Sequence, residues 1–126
     1  MERLEFCGEV TVIYCFDLDG TLCTLEVDGM KEGPGKDKHQ YMNATPMQDR
    51  IDIVNELYDQ GHTIIVETAR GAVSKIDWYA STHKQLENWG LKFHTLRTGV
   101  KHAADIYIDD KGMHGDHFFH AVSLAP

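Results

Sequence analysis

The chain has 126 residues, 42% of them apolar and 25% charged, a balance that suits a single domain over residues 1–126 built around one core. Its formal charge of −8 argues against nucleic acid as a partner, because such binding runs on Lys and Arg neutralising many phosphates. Three cysteines, Cys7, Cys15 and Cys23, are an odd number without the paired spacing of a disulfide framework or a zinc knuckle, so a reducing compartment is expected. Glu2 and Glu5 stand where a signal peptide would be basic, and no apolar run approaches the length of a membrane span. The expected location is cytoplasmic, away from the membrane.

Val10 to Phe16 is an almost unbroken apolar, β-branched and aromatic run, the pattern of a strand covered on both faces. Thr45-Pro46-Met47-Gln48 reads as a capping box with Pro at the first helical position. It is followed by Met47, Ile51, Val54 and Tyr58 at helical spacing and by Gly61 as the stop. His62 to Glu67 is a second short strand. Ser74, with Asp77 three residues on, predicts a second helix with Ile76, Tyr79, Leu86 and Trp89 along one stripe. Lys92 to Leu96 and Asp105 to Ile108 predict two more strands, and a short helix is expected over residues 116–122.

Strands alternating with helices predict an α/β fold: a Rossmann-like three-layer sandwich with a mainly parallel sheet and right-handed crossovers. Residues 22–44 are too long for an ordinary strand-to-helix connection. Asp28-Gly29 predicts a hairpin turn there, so the segment is expected to be a β-hairpin flap, with no large cap domain.

In an open α/β sheet the ligand site forms at the carboxyl ends of the strands, and the notable polar residues fall there. Asp17 and Asp19 follow the first strand, Thr68 and Arg70 the second, Lys101 the third, and Asp109 and Asp110 the fourth. Asp17-Leu18-Asp19-Gly20-Thr21 puts two carboxylates two residues apart as the chain leaves a strand, with Gly20 permitting the tight turn that aims both at one point.

This segment resembles the first motif of the haloacid dehalogenase superfamily, whose phosphatase members carry DxDGT after a hydrophobic strand. Thr68 in Glu67-Thr68-Ala69-Arg70-Gly71 is similar to the second motif, Lys101 to the third-motif lysine, and Asp109-Asp110 to the acidic fourth motif. Members commonly show Gly-Lys-Pro at the lysine, where this chain has Gly99-Val100-Lys101-His102, and no other lysine lies between Lys92 and Asp109. The likeness covers about residues 10 to 112, and the fused pattern looks like small capless members often associated with bacterial capsule or surface-polysaccharide biosynthesis.

The resemblance implies a Mg²⁺-dependent phosphomonoester hydrolase acting on a small phosphorylated metabolite such as a sugar phosphate. Asp17 would be the nucleophile, forming an aspartyl-phosphate, and Asp19 the general acid and base. Thr68 and Lys101 would bind the phosphoryl group. The implied metal ligands are Asp17, the backbone carbonyl of Asp19, Asp109 and Asp110, the last directly or through water. Both an anionic ester and an anionic nucleophile need this positive charge to meet.

Arg70 and Trp78 are candidates for substrate specificity, Trp78 because it lies off the apolar stripe of its helix. Capless members often complete their sites by association, so a homo-oligomer is compatible with the resemblance. His114, His117 and His120 are spaced three apart rather than the four usual in helical zinc pairs and read as ordinary solvated or core histidines. The alternatives are a nucleic-acid 3′-end phosphatase, since the phosphatase domain of phage polynucleotide kinase is similar in its first motif, and a non-catalytic phosphate-binding module.

Overall fold

The protein is described from a computed structural model, in which residues 10–25, 41–101, 104–109 and 111–123 are placed. In chain order the elements are β1 (Ile13–Phe16), β2 (Cys23–Thr24), β3 (Thr45–Pro46), α1 (Gln48–Asp59), β4 (Thr63–Thr68), α2 (Tyr79–Asn88), β5 (Thr95–Thr98) and α3 (Gly115–Ser123). β1, β4 and β5 form a parallel sheet in the order β1-β4-β5, with Phe16 opposite Val66 and Thr68 opposite Thr98. Parallel neighbours need a long crossover, and α1 and α2 supply it, as the strand-helix alternation predicts.

Ile51, Ile53, Val54 and Leu57 of α1 enter the core with Ile64 and Val66 of β4. Leu86, Leu91, Leu96, Phe119 and Val122 join them. Burying a side chain such as Leu57 contributes roughly 1.5–3 kcal/mol. α3 lies where the sequence places a helix, and its Phe119 ring stacks on Phe16 with centroids 5.9 Å apart. His62 and His94 serve the sheet: their Nδ1 atoms accept the backbone N–H groups of Val12 at 3.1 Å and Ile64 at 3.0 Å.

Five local expectations are corrected. β1 is not covered on both faces: Phe16 is buried, whereas Cys15 and Ile13 are exposed, Ile13 to 71%. Thr45 and Pro46 do not cap α1; they pair antiparallel with Thr24 and Cys23, and Met47 at the N-cap makes no side-chain cap bond. Tertiary pairing has taken the backbone that a cap would need, and the Met47 N–H goes to Leu22 O at 2.9 Å. This two-residue ladder closes the base of the 22–44 insertion, whereas the hairpin predicted around Asp28-Gly29 lies outside the described residues.

α2 starts at Tyr79 instead of Ser74, because local side-chain bonds hold the preceding turn out of the helix. Ser74 Oγ accepts the Ile76 N–H at 3.3 Å and Asp77 Oδ1 accepts the Tyr79 N–H at 2.9 Å. Ile76 and Tyr79, predicted to face inward, are exposed, and the buried face of α2 is Thr82, Gln85 and Leu86. Residues 105–108 form no strand: Ile106 is 75% and Ile108 92% exposed. Their composition suits a strand, but a strand exists only where a neighbour takes its N–H and C=O groups, and pairing of this segment with β1 does not occur.

Candidate functional site

Asp17 leaves β1, Thr68 ends β4 and Gly99 follows β5, so three adjacent parallel strands release their chains at one sheet edge. The loop after Asp17 is tight. The N–H groups of Thr21, Leu22 and Cys23 all point to Leu18 O, at 3.0, 2.8 and 3.3 Å, while Gly20 adopts φ +87°, a conformation open to glycine at little cost. Leu18 is thereby buried, and Asp17 and Asp19 stay partly exposed on either side of it. Arg50 of α1 braces the loop from outside. Its Nη1 donates to Thr21 O at 2.9 Å and its Nη2 to Asp116 Oδ1 of α3 at 2.6 Å, and that bond holds the Asp116 carboxyl below the usual carboxylate range.

Lys101 extends from the connection after β5 to lie with Nζ 3.4 Å from Asp17 Oδ1 and 4.8 Å above the Tyr107 ring. The cation therefore stands beside the proposed nucleophile. Asp19 is gripped from below by Arg70, whose Nε donates to Oδ2 at 2.9 Å and Nη2 to Oδ1 at 2.7 Å. Arg70 is only 1% exposed. Its Nη1 donates to Thr82 Oγ1 at 3.2 Å and to Gln85 Oε1 at 2.8 Å, which explains why the inward face of α2 is polar. A buried guanidinium is tolerated only when paired and hydrogen-bonded in this way. Cys23 adds a thiol 3.4 Å from Asp19 Oδ1; burial, reinforced by the Asp19 charge, pushes that thiol up to about 12.

Two sequence expectations change here. Arg70, expected to reach into the crevice for substrate, spends its guanidinium on Asp19, Thr82 and Gln85. Trp78, also expected to face the crevice, is buried edge-on against Tyr41, with ring centroids 5.1 Å apart, and its Nε1 has no hydrogen-bond partner among the described residues. The sharp turn after Arg70 causes this burial. Gly71 has φ +89°, and a Cβ there would lie 2.4 Å from Ile76 O and 3.3 Å from the Trp78 ring, so the chain folds back across a glycine that has no side chain to obstruct it.

Thr68 is 2% exposed, and its Oγ1 accepts the Arg70 N–H at 3.2 Å, placing it beneath the site. Asp109 Oδ1 accepts the N–H groups of Gly112 at 2.5 Å and Lys111 at 2.9 Å, and these bonds lower its carboxyl below the ordinary range. Asp110 lies outside the described residues. Contacts thus join Asp17 to Lys101, and Asp19 and Thr68 to Arg70, whereas Asp109 Oδ1 is turned into its own loop. Among the described residues no three His, Cys, Asp or Glu side chains gather as metal ligands. Sequence reasoning missed Tyr41, Thr82, Gln85 and Arg50. The signal available was Thr82 and Gln85 at helical spacing beside Leu86: two polar residues on a stripe that must be buried need a polar partner.

A solved structure shares this fold. A crystal structure of a target protein from Vibrio cholerae matches with a TM-score of 0.65 at 23% sequence identity, covering 86% of this chain and 88% of that one. At that identity the likeness is one of fold, and it agrees with the α/β architecture. No family model and no curated protein matches the chain. Among the described residues no helix is long and apolar enough to cross a membrane.

Proposed function

We propose that this chain is a phosphomonoester hydrolase of the haloacid dehalogenase type, a Rossmann-like three-layer sandwich acting in the cytoplasm on a small phosphorylated metabolite such as a sugar phosphate. The observation that carries the reading is the Lys101 ammonium 3.4 Å from an Asp17 carboxylate set at the carboxyl end of β1. A carboxylate approaches an anionic ester only where positive charge offsets the repulsion, and Lys101 supplies it at that point.

In the proposed reaction an Asp17 oxygen attacks phosphorus and the bond from phosphorus to the ester oxygen breaks. Asp19 gives its proton to the departing alkoxide, leaving an aspartyl-phosphate on Asp17. Asp19 then takes a proton from water as the water attacks phosphorus, which frees phosphate and restores Asp17. A carboxylate has about four lone-pair sites, so the two bonds from Arg70 leave Asp19 able to face a substrate. Thr68 and Lys101 would bear on the phosphoryl oxygens.

Mg²⁺ remains part of this proposal as the expected cation. Asp109 as described does not fit it, because its Oδ1 is directed at the Lys111 and Gly112 amides. The steps above therefore run through the residues of the chain alone. The test is a screen of phosphomonoesters, p-nitrophenyl phosphate among them, with Mg²⁺ titrated and then removed by chelation. Phosphate release that vanishes in Asp17→Asn supports the reading; equal release by that variant overturns it. Arg70 holding both oxygens of Asp19 favours a second reading, a non-catalytic phosphate-binding module, which would bind phosphate without turnover.

A further inference from the structure

Tyr41, in the connection between β2 and β3, lies against the Arg70 guanidinium whose Nε and Nη2 hold Asp19. The guanidinium carbon lies 4.6 Å from the centroid of the Tyr41 ring, within the range where a cation is held by the ring's negative face. The same residue is fixed by its backbone, since Gln85 Nε2 donates to Tyr41 O at 2.7 Å while Gln85 Oε1 accepts from Arg70 Nη1 at 2.8 Å. Trp78 meets the Tyr41 ring edge-on at 86°. Gln85 thus reads both the end of the insertion and the cation that orients Asp19.

We propose that Tyr41 is a positioning residue that clamps Arg70 against Asp19, so that the end of the β2–β3 insertion sets the orientation of the Asp19 carboxylate. A guanidinium bound on one edge by Thr82 and Gln85 and on another by a carboxylate can still tilt about the plane of its fork. An aromatic ring whose centroid stands 4.6 Å from the guanidinium carbon limits that tilt. Movement of the insertion's end would carry Tyr41 off Arg70 and loosen both bonds to Asp19. The catalytic meaning of this coupling rests on the acid and base role proposed for Asp19; the coupling itself does not.

The test is therefore by NMR on the folded protein, with no dependence on turnover. In the wild type, the δ protons of Arg70 should be displaced upfield by the Tyr41 ring current; ordinary shifts for those protons would overturn the proposal without any variant having to fold. In Tyr41→Leu, which keeps the backbone bond from Gln85, exchange of the Arg70 Nε–H should quicken about tenfold and the Asp19 carboxyl carbon should shift. Tyr41→Phe, which keeps the ring face, should restore both to wild-type values. Unchanged exchange and an unmoved Asp19 signal in a folded Tyr41→Leu would also sink it. Silence of the wild type in the phosphomonoester screen would defeat the phosphatase reading and leave this result standing.

Discussion

Arg70 and Asp19 meet through two hydrogen bonds of 2.9 and 2.7 Å across 51 residues of sequence, and the cation of the pair is buried while the carboxylate keeps an opening to solvent. This geometry ties the loop after β1 to the start of the β4–α2 connection, two of the segments that supply the candidate site. Removing the cation would leave a carboxylate, a hydroxyl and an amide oxygen without their donor. Arg70→Met is expected to lower stability by about 3–5 kcal/mol, the range for breaking one side of a buried pair, toward the lower end because Asp19 is partly exposed. Arg70→Lys should recover only part of this, since an ammonium cannot present the fork. Urea denaturation at neutral pH measures both.

Gly71→Ala should destabilise the fold by about 1–3 kcal/mol, through the positive φ and through the clash of a new Cβ with Ile76 O. The midpoint of urea unfolding should fall with the slope unchanged. A neutral result would mean that the turn burying Trp78 relaxes freely.

Cys23 is a neutral thiol in the folded chain, since burial first and the Asp19 charge second raise it to about 12. Reactivity follows the thiolate, so Cys23 should escape alkylation by iodoacetamide at pH 8 and react only after unfolding, which peptide mass spectrometry would show residue by residue. The sign for stability follows from the raised value. The contribution of the buried thiol is complete below the unfolded value of about 8.5 and is lost as pH rises toward 12.

Asp116 titrates in the opposite sense. The hydrogen bond from Arg50 lowers its carboxyl, so the stability it contributes is present above about pH 4 and disappears as pH falls through the lowered folded value. Thermal unfolding of wild type and Asp116→Asn should differ at neutral pH and converge in acid. The difference should also shrink with added salt, because Asp116 is exposed.

What the sequence by itself determined is what repeats locally. A short apolar run marked β4, helical spacing marked α1, and the pattern at Asp17 to Thr21 marked the loop that leaves β1, because each depends on residues within a few positions of one another. The tertiary structure alone decided the rest. Thr45 and Pro46 became a strand because Cys23 and Thr24 offered them a partner, and residues 105–108 did not become one because among the described residues no strand pairs with them. Arg70 was legible as a polar residue beyond a strand, but its destination depended on Asp19, Thr82, Gln85 and Tyr41 arriving from three other parts of the chain. A charge leaves water only where partners replace its hydration, and where those partners lie is a property of the folded chain.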